Sequence, residues 1–159
     1  MDLSFSSTDG RFNLRTCAVI LSHEHLLTVR DARSPYRYLP GGRVQLHETA
    51  EQALLRELRE ELGVQAKISR ALWLNQSFFT EDVSSERFHE LCFYFLVEAP
   101  DGMDAAFRHS TERQEPNGQK LTFEWIHIDH LEDLYFYPTF LKTRIHSLPA
   151  SLALITEIE

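Results

Sequence analysis

A chain of 159 residues with 43% hydrophobic content suffices for one sizeable core, and residues 1–159 read most economically as a single domain. A net charge of −8 leaves no basic stripe for phosphate contacts, which argues against broad nucleic-acid or anionic-membrane binding. No apolar run approaches a membrane span, and MDLSFSSTDGRFN has neither a basic start nor an apolar signal core, so a cytoplasmic protein without a membrane partner is expected.

In chain order, apolar strand-like runs predict strands near Leu14 to Leu21, His25 to Val29 and Tyr36 to Leu39. Cys17 and Cys92 both fall in such segments, which reads as buried free thiols in a reducing compartment rather than a disulfide. Pro40-Gly41-Gly42 follows as a backbone-permissive turn able to bring carbonyl oxygens close to a bound group.

A helix is predicted next, from about Glu48 to Leu62. Ala50, Leu54, Leu58 and Leu62 recur every fourth residue and form an apolar stripe, with Thr49 or Glu48 as start signal and Gly63 as stop. On the same wheel Glu57 and Glu61 fall at the edge of that stripe, Glu60 lies just beyond, and Arg59 points away. Glu57 and Glu61 are a like-charge i, i+4 pair, which disfavours the helix unless something positive sits between them. A solvated acidic face with incidental partners such as Arg56 is the plain alternative. Against it stand the adjacent Gly-Gly turn and a fourth carboxylate, Glu48, which together form an oxygen-rich cluster of the kind hard divalent cations prefer.

Further strands are predicted near Ala66 to Phe79, Glu86 to Glu98 and Leu121 to Ile128, with a final helix from Pro138 to His146. Asp101 to Lys120 reads as a loop. The fold class is therefore α/β (α+β), a mixed central sheet with helices on both sides. His23 with His25 and His127 with His130 lack Cys or Glu at zinc-like spacing and read as loop and strand-edge residues.

Starting at Gly42, the order is glycine, five residues, Glu48, seven residues, Arg56-Glu57-Leu58, one residue, Glu60-Glu61, one residue, Gly63-Val64. This resembles the complete signature of the Nudix hydrolases, and the flanking TCAVIL, HLLTVR, YRYLPGG and FEWIHID segments are also similar to that family. The resemblance implies an alpha-beta-alpha sandwich and Mg²⁺- or Mn²⁺-dependent hydrolysis of a diphosphate bond in a nucleoside diphosphate derivative. It implies Glu57, Glu60 and Glu61 as metal ligands with the Gly41 carbonyl, and Arg56 and Glu48 as orienting partners of the catalytic carboxylates. One acid in the site would double as general base.

Some members take an extra ligand or base from outside this segment, for which Glu115, Glu90 and Glu112 are candidates, with ordinary surface acids as the alternative. The expected partner is a small nucleotide-like substrate, with a homodimer left open because many small relatives dimerise. Arg30, Arg33 and Arg37 are the cations nearest the segment and could meet an anionic substrate or simply lie on the surface. Phe79, like Trp73, Phe78, Phe93 and Tyr94, could stack on a base or belong to the core. Phe78 to Asp82 contains neither the proline nor the tyrosine that marks two Nudix subgroups, so the sequence names no substrate. A Nudix-like domain that binds a nucleotide without turnover is the alternative function.

Overall fold

Period-two alternation along the longest strands decides which side chains meet which helix. The computed structural model describes residues 1–99, 103 and 111–159. Among them run β1 (Ser4–Ser7), β2 (Gly10–Ser22), β3 (His25–Asp31), β4 (Gly41–Arg43), β5 (Lys67–Thr80), β6 (Arg87–Glu98), β7 (Thr111–Gln114), β8 (Lys120–His127) and β9 (Ala153–Ile158). They form one sheet ordered β7-β8-β3-β2-β6-β5-β9, with β1 and β4 also pairing on β2. The β2–β6 and β5–β9 pairs are parallel and the others antiparallel, so the sheet is mixed.

Side chains two apart on a strand share a face. Ala18, Ile20, Phe95 and Val97 therefore point together at Leu54, Leu58 and Leu62 of helix α1 (Ala50–Leu62). Cys17, Val19, Cys92 and Tyr94 face the other way, toward Leu131 of a 3-10 helix (Ile128–Asp133) and toward Leu141 and Ile145 around the one-turn helix α2 (Leu141–Arg144). This is the three-layer arrangement expected from the sequence, with thinner helical cover on the second face.

Helix α1 begins two residues later than predicted, which leaves Glu48 outside it. The Thr49 hydroxyl accepts the Gln52 N–H at 3.1 Å while the Gln52 amide oxygen accepts the Thr49 N–H at 2.9 Å, a reciprocal capping box. Gly63 closes the helix in the left-handed region at φ 69° and donates its N–H to Arg59 O.

Three other expectations are corrected. Tyr36 to Leu39 is not a strand: Arg37 and Tyr38 make only isolated bridges, to Phe136 and Val29. The strand lies instead at β4, where β2 imposes extended structure on a Gly-Gly-Arg stretch of low strand propensity. The C-terminal helix is one turn, because Thr139 Oγ1 and the Phe140 N–H donate to Glu157 of β9 at 2.6 and 3.3 Å rather than opening a longer helix. The stretch read as a loop contains β7, whose hairpin with β8 closes through Glu115 N–H to Gln119 O at 2.8 Å. Residues 101, 102 and 104–110 of that stretch lie outside the described residues. Strands β1 and β9 were not anticipated.

Candidate metal centre and cavity

Strand β4 sets the geometry of the site. Gly41 pairs with Cys17 at φ 152°, where a side chain would meet Thr16 O and stand 2.8 Å from Cys17 Cα. Gly42 leaves the slot into which Glu57 fits, since a Cβ there would lie 2.7 Å from Glu57 Oε2 and closer still to its carboxyl carbon. Two glycines thus let helix and strand approach until the helix carboxylates reach the sheet edge.

Arg56 organises the outer half of the cluster. Its Nε and Nη2 donate to the two oxygens of Glu48 at 2.8 and 2.9 Å, and Nη1 donates to Glu57 Oε1 at 2.8 Å. Nη2 also reaches Arg43 O at 3.1 Å, and Glu48 Oε2 accepts the Gln45 N–H at 3.0 Å. The guanidinium is spent on this fork, which holds the Glu48 carboxyl below its usual range. Replacing Arg56 with leucine would strand Glu48 and Glu57 without their cation. A loss of about 2 kcal/mol is expected, read as a lower midpoint in urea unfolding with unchanged slope.

The carboxylates nearer the sheet are electrostatically strained. The Glu57 side chain is only 16% exposed, and burial pushes its pKa up, with Arg56 opposing and Glu60 adding to the rise. Glu61 is 8% exposed, and burial followed by the charges of Glu57 and Glu115 lifts it well above the ordinary value, against a hydrogen bond from the Gly41 N–H. Glu60 is half-exposed, with Arg56 Nη1 3.7 Å away. Among the described residues no three His, Cys, Asp or Glu side chains already converge as a cation cage. The donor set nonetheless suits a hard divalent cation: all oxygen, anionic, crowded and deprived of solvent. Such a cation would offset the burial, and with it the neighbouring charges, that raise Glu57 and Glu61.

Glu61 and Gly41 open onto a cavity of about 580 Å³. Glu115, carried at the β7–β8 turn, and Glu90 of β6 also line it, whereas Glu112 does not. Glu90 accepts from Asn13 Nδ2 at 3.2 Å. Arg30 and Arg37 stand elsewhere, both engaged by Glu124, with Arg37 Nη1 2.9 Å from Glu124 Oε2. Arg33 is likewise outside the lining, on the turn its N–H makes to Asp31.

Of the aromatic candidates, Phe78, Phe79 and Tyr94 line the cavity. Phe79 stacks on Phe88 at 5.1 Å, Trp73 is core against Phe140, and Phe93 lies on the α1 face against Phe95. Cys17 and Cys92 are free, buried and in contact, Sγ to Sγ 3.6 Å.

Sequence reasoning missed Tyr36 and Tyr137, an edge-to-face pair at 5.0 Å that walls the cavity, and it missed Arg15 and Arg43. Arg15 carried a signal, a lone cation inside the apolar run LRTCAVIL. Burial opposes its charge, but Glu90 and the neighbouring thiols outweigh that and hold the pKa above the ordinary value.

Among the described residues no helix is long and apolar enough to cross a membrane. Comparison with solved structures finds the same fold in the mutator MutT protein of Bacillus halodurans, 17% identical, covering 91% of this chain and 88% of that one at a TM-score of 0.63. An ADP-ribose pyrophosphatase from Streptococcus suis is 16% identical, covering 92% and 98% at a TM-score of 0.59. At these identities the likeness is one of fold.

A Caenorhabditis elegans protein with the provisional name nudix hydrolase 1 is 27% identical over 127 residues, which is 76% of this chain and 30% of that protein. The chain thus spans less than a third of this relative. The NUDIX domain profile matches residues 12–143, a span that takes in α1, β4 and the cavity residues Arg15, Glu90 and Glu115. By that match the chain belongs to the NUDIX domain family.

Proposed function

We propose that the protein hydrolyses a diphosphate bond in a nucleoside diphosphate derivative, using Mg²⁺ or Mn²⁺ held by Glu57, Glu60, Glu61 and the Gly41 carbonyl. The observation that carries this reading is the pair Glu57 and Glu61. They are two solvent-poor carboxylates pushed toward protonation by burial and by their neighbours, and Glu61 lines a cavity of nucleotide size. A fold that keeps such a pair raised despite the Arg56 and Gly41 donors is suited to a cationic ligand.

When bound, a divalent cation supplies charge neutralisation for the diphosphate and a lowered pKa for water. The protein's own residues do the rest. Arg56 and Glu48 fix the rotamer of Glu57, the Gly41 N–H holds Glu61, and Glu115 adds a further carboxylate from the hairpin turn. Tyr36, Tyr137 and Phe79 offer faces for an aromatic or sugar moiety beyond the phosphates.

A panel of nucleoside triphosphates, oxidised nucleotides, ADP-ribose, nucleotide sugars and dinucleoside polyphosphates, incubated with Mg²⁺ or Mn²⁺, is expected to yield phosphate-containing products from at least one class. A compound bound tightly with no turnover under either metal would instead identify a nucleotide-binding domain without catalysis.

A further inference from the structure

We infer that Arg15 and Arg43 together form a clamp for one phosphoryl group of the substrate, on the cavity side of the metal carboxylates. The inference rests on the diphosphate reading for its ligand class, but it is carried by different residues.

Arg15 is half-buried on β2 and lines the cavity, yet among the described residues its guanidinium makes no hydrogen bond and no ion pair. Its Nε is fully occluded and unpartnered. Elsewhere the partly buried arginines have acceptors: Arg11 has Glu86, Arg37 has Glu124, Arg56 has Glu48 and Glu57, and Arg70 has Pro149 O. Its fork of donors is left without an acceptor, and that fork matches phosphate geometry.

The register supplies a second, independent observation. Arg15 is the Cα partner of Arg43 across the antiparallel β2–β4 pair, so the two side chains rise from facing positions on the same side of the sheet. Both line the cavity. Like charges directly opposite disfavour the pairing of their strands, and the acid near Arg43, Asp2, is exposed and 3.8 Å away. An anion between the two guanidinium groups would relieve that repulsion and give the Arg15 Nε an acceptor.

The place is also right. Arg15 lies within the electrostatic reach of Glu57 on one side and Glu90 on the other. β4 carries Gly41 and Arg43 two residues apart, so a diphosphate held at the helix carboxylates would extend its next phosphoryl group toward the arginines. Glu90, tied to Asn13 on one oxygen, then marks where the anionic part of the substrate ends.

The test uses methylenediphosphonate, which cannot be hydrolysed, titrated by calorimetry into the Mg²⁺-loaded protein. The parent is expected to bind it, with Arg15→Met weaker by ~10–100-fold and Arg15→Lys, which keeps the charge but not the fork, in between. Arg43→Met should weaken binding to a smaller extent, since that side chain is more exposed. Mg²⁺ affinity measured separately should be unchanged in Arg15→Met.

Binding by Arg15→Met within about twofold of the parent, or no binding by the parent, would overturn the clamp. Product release from the nucleotide panel alongside any of those results would leave the hydrolase reading standing. Arginine-dependent binding without turnover of the panel would do the reverse.

Discussion

Exchanging Glu61 for glutamine is expected to lower Mg²⁺-dependent turnover by ~10³-fold, the equivalent of the several kcal/mol a bound cation supplies. In the same molecule it is expected to raise the melting temperature of the metal-free protein. The two effects have one origin. Burial and the charges of Glu57 and Glu115 raise the folded-state pKa of Glu61 well above the ordinary carboxylate value of 4.5.

The sign of the pH dependence follows. Below 4.5 the carboxyl is protonated whether the chain is folded or not, and the group has no effect on stability. As pH rises past that value the unfolded chain loses its proton first, so stability falls until the folded pKa is reached and stays reduced above it. Metal-free protein in chelator should therefore melt at progressively lower temperature over that range. Glu61→Gln should show a flatter profile, and Mg²⁺ should restore the parent but not the variant. Calorimetric melts at several pH values, with and without metal, measure all of this. Full turnover by Glu61→Gln would remove the residue from the metal centre.

Alanine at Gly41 and alanine at Gly42 are expected to fail in opposite ways. At Gly41 the added carbon meets backbone, Thr16 O and Cys17 Cα, in a region of φ that side chains rarely adopt. Neither neighbour can move without breaking the β2–β4 register, so a loss of about 3 kcal/mol or more is expected, visible in urea unfolding. At Gly42 the obstacle is the carboxyl end of Glu57, which can swing away. Gly42→Ala should fold with nearly parental stability while losing most Mg²⁺-dependent turnover, because the displaced carboxylate no longer reaches the site. Equal stability losses in the two variants would show that Glu57 is held as firmly as backbone.

The sequence made α1 and its four acids legible because a helix of 3.6-residue period with a cap at each end is local physics. The central strands were legible for a similar reason, since runs such as TCAVIL and FYFLV have few alternatives. What escaped depended on partners far along the chain. Gly41–Arg43 has no intrinsic preference for extension and becomes β4 only because β2 offers its edge. ALITEI is short and amphipathic, and becomes β9 by pairing in parallel with β5.

The same limit applied to the cavity. Arg30, Arg33 and Arg37 precede the acidic segment in sequence, yet none lines the cavity, and Glu124 holds Arg30 and Arg37. Arg15 is far from the helix in sequence and was brought to the cavity by the β2–β4–β6 register. Membership of a family was readable from one segment, whereas the cavity wall is assembled from stretches far apart along the chain.

Helix α1, closed at its start by the Thr49–Gln52 box and at its end by Gly63, works as a ruler with both ends clamped. Adding or deleting one residue between those clamps would turn every later carboxylate by about 100°, breaking either the stripe against the core or the aim of Glu57 and Glu61. The β7–β8 turn that carries Glu115 is under no such constraint, since a hairpin can change length at its tip and leave its strands paired. Within this architecture a change of length costs least in the loops around the cavity. A descendant of this chain could therefore acquire a new substrate by altering those loops while its helix stayed the same length.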